Sequence, residues 1–164
     1  MRYFAAALTS VAVAVWFGGL VMLAVAVMAV FISAGLDKPV AGKATAAIFV
    51  WFGKGQLIVA ALALMGAFLG YLQGRRQLPM ILFALLALAA VGAVAFNALF
   101  IPRLEELRLA GESTSPAFQT MHKQSERLML GMMLVLFAAV VMLPAFFRSL
   151  WTFERQGPGF PVDE

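Results

Sequence analysis

The chain has 164 residues, of which 63% are hydrophobic and only 12% charged, with a net charge of +4. An average soluble domain carries about 25% charged residues, so the composition excludes an ordinary soluble fold, and the length allows a single domain. No cysteine is present, which removes disulfides and thiolate metal sites, and no basic stripe interleaved with aromatics points to nucleic acid.

The charges lie between long apolar blocks. Leu8–Ile32 carries none. It is far longer than the apolar core of about 7–15 residues in a cleaved signal, so it reads as a retained helix. Ala44–Leu72 carries one charge, Lys54, and Pro79–Ile101 and Leu128–Phe147 carry none. A hydrocarbon core of about 30 Å takes about 20 helical residues, and each block meets or nearly meets that length. Nothing alternates apolar and polar residues as a membrane barrel strand would. The expected fold is all-α, a four-transmembrane-helix bundle forming one membrane domain. Its spans are 8–32, 44–72, 79–101 and 126–147, with a polar loop over 102–125 and a tail over 148–164.

Within the spans, helices approach where small residues allow it. Gly18 and Gly19 in the first span, and Gly66 and Gly70 (a GxxxG pair) in the second, are the expected packing positions. GxxxG can signal homodimerisation, but packing inside one bundle is the preferred reading. Four spans put both ends of the chain on one side, together with Arg75 and Arg76 in a very short loop. Lys and Arg number five on that side and seven on the other, so the short basic loop decides for cytoplasmic termini.

The third loop holds the specific features. Pro102 and "RLEELRLAG" predict a short helix closed by Gly111, and Ser115-Pro116 supplies an N-cap and a first-turn proline for a new helix. That helix rises above the bilayer and puts His122, Ser125 and Glu126 on one face.

Several of these residues resemble a known family. Trp16 to Gly18, Phe49 to Phe52, Asn97, Pro102 with Arg103, and Phe118, His122 and Ser125 follow the order seen in the small four-helix proteins called transmembrane-protein-205-like. In bacteria these form a domain of unknown function. Lys123 stands where that family commonly has glycine, and Leu128 and Met129 occupy the region where it often has asparagine. The resemblance implies the fold and a bacterial inner-membrane location, and says little about activity.

Each polar residue has a bland reading beside the functional one. Lys54 is either an intramembrane charge or a lysine at a helix start, with Glu105, Glu106 or Glu126 as partners. Asn97 is expected to make an interhelical hydrogen bond. His122 and Ser125 are expected to tie the cap to loop one or to the end of the third helix. A single histidine cannot form a metal site alone, so no metal and no cofactor is expected. No HExxH, GxSxG or phosphate loop is present, so an enzyme is not expected. Two functions remain. One is an accessory or scaffold subunit packing laterally against membrane-protein partners or further copies of itself in the lipid bilayer. The alternative is a carrier or channel for a small ion, metal or proton through the cluster Lys54, Asn97, Pro102, Arg103, His122, Ser125 and Glu126.

Overall fold

A computed structural model describes residues 1–32, 35, 37–73 and 77–152. Five α-helices follow in order: α1 (Arg2–Ile32), α2 (Lys38–Gln73), α3 (Gln77–Ala95), α4 (Ile101–Leu109) and α5 (Pro116–Thr152). A π-helical turn, Phe96–Phe100, joins α3 to α4. Four stretches are long and apolar enough to cross a membrane, and no strand occurs among the described residues. The protein is an integral membrane protein. Arg75 and Arg76, on which the orientation argument rests, and the tail beyond Thr152 lie outside the described residues.

The connections between α1 and α2 and between α2 and α3 are too short for anything but antiparallel neighbours. α1 packs on α2, α2 on α3 and α3 on α5, and α5 closes the ring against α1. The buried positions follow alternating steps of three and four. On α1 they include Ala5, Thr9, Ala12, Trp16, Leu20 and Leu23. On α2 they include Gly53, Gln56, Ala60, Ala63, Ala67 and Gly70. On α3 they run through Leu82, Leu86, Ala89 and Ala93 to Phe96, and on α5 through Met132, Leu136, Ala139, Phe146 and Leu150. A seam repeating every 3.5 residues is the geometry of left-handed bundle packing. The α2 seam is small throughout its lower half, which lets neighbouring backbones close on it.

The packing glycines divide their labour. A methyl group on Gly66 would lie 2.8 Å from the backbone nitrogen of Thr9, so Gly66 lets α1 touch α2. On Gly70 it would lie against Cζ of the Phe146 ring and 2.7 Å from its Cε2, the ring reaching across the bundle from α5. Both members of the GxxxG pair are therefore used inside one copy. Gly19 packs under the Phe52 ring, but Gly18 meets nothing within 4 Å and is not a packing position. Its side of α1 faces away from the neighbouring helices.

Pro144 sits inside α5 without ending it. Membrane helices tolerate such a proline when surrounding groups compensate the freed carbonyl. α5 consequently continues to Thr152.

Candidate functional site

Pro102 shapes the centre of the polar rim. Its ring excludes the carbonyl of Ala98, four residues back, and it brings no N–H to the helix. The backbone widens just before it: the N–H of Ile101 bonds the Phe96 carbonyl, five residues back. This π turn buries Phe96, sets its ring tilted against Phe49 of α2 at 5.9 Å, and presents Asn97 toward Gly53. A methyl group on Gly53 would lie 3.1 Å from Asn97 Cγ and 2.9 Å from Ile101 Cδ1. The glycine is thus the socket for the π turn.

The Asn97 amide corrects the expectation of an interhelical bond: its Nδ2 donates to the Ala93 carbonyl of its own helix at 2.9 Å. The other rim residues behave alike. Lys54 lies within continuous α2, and its ammonium sits 5.0 Å over the Trp51 ring rather than on a glutamate. Arg103 donates to Glu106 at 2.6 Å, and Arg108 to Glu105 at 2.7 Å. His122 Nε2 lies 3.2 Å from Glu126, and its ring stacks on Phe118 at 5.9 Å. Ser125 is buried and donates to the His122 carbonyl at 2.7 Å. Neither His122 nor Ser125 ties the cap to loop one or to α3 through these bonds. The predicted N-cap holds, with the Phe118 N–H donating to Ser115 Oγ at 3.1 Å. Gly111 ends α4 with a positive φ of 77°, a conformation that suits glycine.

Depth explains this pattern. Lys54 lies about 28 Å before Gln73 along α2, and Asn97 about 30 Å beyond Gln77 along α3, at 1.5 Å per residue. Those separations equal the hydrocarbon thickness. By length, Lys54 and Asn97 thus stand at one end of a membrane-length stretch, and α4 and the start of α5, which carry most of the charges, follow at that same end. There the Arg108 guanidinium holds the Glu105 carboxyl below its ordinary range, through its hydrogen bonds first. The rim residues share an end of the bundle, but their side chains do not converge. No group of three acidic, histidine or cysteine side chains able to hold a metal occurs among the described residues.

Two polar side chains absent from the predicted cluster stand out below the rim. Trp16 and Gln56 are 1% and 3% exposed, and neither the indole N–H nor either end of the amide has a hydrogen-bond partner. Both residues border an open, apolar cavity of about 210 Å³ with Val15, Phe52, Gly55 and Val59, but their polar atoms are not exposed in it. A sequence signal existed for Gln56, the one amide inside the apolar run of α2. Trp16 carried none, because tryptophan is ordinary in an apolar span.

No curated protein and no solved structure matches this chain. The model of one family, described as a domain of unknown function (DUF4149), matches residues 11–113. That segment holds the α1 seam from Ala12 onward and the α2 seam, with Gly53, Gln56, Asn97, Pro102 and Arg103, while Ala5 and Thr9 precede it and His122, Ser125 and Glu126 follow it. The chain belongs to the family of the domain of unknown function DUF4149.

Proposed function

We propose that the protein is a non-enzymatic accessory subunit that packs against a partner protein in a bacterial inner membrane, with its termini in the cytoplasm. Kinship with the transmembrane-protein-205-like proteins is part of the same proposal. One observation carries it. Gly19 packs on Phe52, level with the rim, so with the hydrocarbon boundary taken at Lys54 and Asn97, Leu20–Ile32 rises about 20 Å above it. That extension stays apolar, and Met22, Val25, Met28, Phe31 and Ile32 on it are at least half exposed. An apolar surface of this kind outside the bilayer core needs a cover, and a partner protein supplies one.

The interior argues against the carrier or channel. Permeation needs polar groups through the whole depth. The core below the cavity is built of Ala60, Ala63, Leu82, Leu86, Leu136 and Ala139, and the buried hydroxyl of Thr9 is committed to the Ala5 carbonyl at 2.8 Å. The test is purification from native membranes in mild detergent, with mass spectrometry of what elutes. A stoichiometric partner that Val25→Arg or Met28→Arg removes, with the bundle intact, is the expected result. A solitary protein, or ion flux in proteoliposomes that Lys54→Ala and His122→Ala abolish, would overturn the reading.

A further inference from the structure

The cations at the polar end of the bundle are not equally committed. Arg103 and Arg108 on α4 donate to Glu106 and Glu105, and the Lys54 ammonium rests over the Trp51 ring. The one acid on α5, Glu126, sits 3.2 Å from His122 Nε2. Lys123 and Arg127 are left over. Both are exposed, and neither has an acidic partner among the described residues. They stand four positions apart, so their side chains leave one face of α5 with Cβ atoms about 5–6 Å from each other.

Below this pair the same face is apolar. Leu130, Leu134, Phe137 and Val141 continue from Arg127 in steps of three and four, and each is more than half exposed. At about 100° per residue the six side chains stay within about 80° of the α5 circumference. Met132, Leu136 and Ala139 turn the opposite side of α5 into the core, so the stripe looks out at lipid. Its depth is fixed in two ways. Leu128–Phe147, bracketed by Arg127 and Arg148, carries no charge and is about 30 Å long, the hydrocarbon thickness. Gly92 of α3 meets Met132 and Leu128, so Asn97, five residues further along α3, lies level with Ser125 on the antiparallel α5. By length the cation pair therefore falls among phospholipid phosphates, and Leu130 to Val141 covers about the next 16 Å, the depth of one leaflet. An acidic peptide could meet the cations but would have to enter hydrocarbon to use the stripe. A free phosphate would leave the stripe unused.

We propose that this face of α5 binds an anionic diacyl phospholipid. The headgroup phosphate bridges Lys123 and Arg127, accepting from the ammonium and from the guanidinium fork, and one acyl chain lies along Leu130, Leu134, Phe137 and Val141. Two adjoining cations select an anionic headgroup over a zwitterionic one, whose own ammonium would meet like charge. The site lies on a different helix from the apolar extension of α1, and neither reading rests on the other.

The full-length protein, delipidated in mild detergent, is titrated with phosphatidylglycerol or phosphatidylcholine of identical acyl chains, and native mass spectrometry follows the bound lipid. The expected first binding event is about tenfold tighter for phosphatidylglycerol. Lys123→Gln with Arg127→Gln abolishes that preference. Lys43→Gln with Lys54→Gln removes the same charge from α2 and leaves the preference in place. All four side chains are exposed, so both double variants keep the thermal midpoint of the unaltered protein in lipid-free detergent. Equal affinity for the two lipids, or an equal loss in the two double variants, would show general charge attraction and overturn the proposal. Displacement of the lipid by an equal concentration of glycerol phosphate would show a phosphate site with no seat for the chain, and would overturn it as well.

Discussion

Gly66→Ala tests the account of how α1 and α2 come together. The added methyl carbon would sit 2.5 Å from Thr9 Oγ1, 2.8 Å from its backbone nitrogen and 3.1 Å from its Cα. Carbon atoms are comfortable at about 3.5–4.0 Å, so the helices must part by roughly 0.7–1 Å there. Backbone cannot swing aside as a flexible side chain can. A gap of that size forfeits a quarter to a half of each dispersion contact it opens, and overpacking of this kind costs about 1–3 kcal/mol. Alanine's better helix propensity returns up to about 1 kcal/mol. The net is a loss of about 1–2 kcal/mol. Gly18→Ala is the control, because its methyl meets nothing within 4 Å and only the propensity gain remains. The two variants should move in opposite directions in unfolding by a denaturing detergent, followed by circular dichroism in mixed micelles. Equal stabilities would refute the close approach of α1 and α2 at Thr9 and Gly66.

Other outcomes follow from the rim. Gly53→Ala should be milder than Gly66→Ala, because the obstructing atoms belong to the Asn97 and Ile101 side chains; combining it with Asn97→Ala should recover part of the loss, seen as a non-zero coupling in a double-mutant cycle. Ser115→Ala removes the cap on the Phe118 N–H and should cost about 1 kcal/mol, confined to the first turn of α5 and visible as faster amide exchange there. The Glu105–Arg108 pair depresses the Glu105 pKa, so its contribution is fully present above the ordinary carboxylate pKa of about 4.3 and is lost as pH falls through the folded value. Amide exchange in α4 should therefore be flat from pH 7 to 5, after correction for intrinsic rates, and should accelerate below that. Arg108→Gln should abolish the transition.

The sequence by itself determined that this is a four-span membrane protein. Four apolar blocks of membrane length, with Lys54 the one charge among them, point to that fold, and local chemistry at Pro102, Gly111 and Ser115 marked the ends of α4 and the start of α5. These signals are legible because they act within a few residues, through an excluded ring, a positive φ or a cap. Which face of each helix turns inward was not legible. Lipid is as apolar as the core, so Val25 on the outside of α1 and Leu20 in its seam carry the same signature. Only the tertiary structure decided that Gly66 serves α1 while Gly70 serves α5, and that Gly18 serves neither. Polarity along the chain picked out the rim residues because each breaks an otherwise apolar sequence or borders one. Their partners were not legible, because a side chain on a helix meets its own turn first: Asn97 bonds Ala93, and Ser125 bonds His122. The cavity of Trp16 and Gln56 joins residues forty positions apart on two helices, and a contact between helices is something no spacing along one of them records.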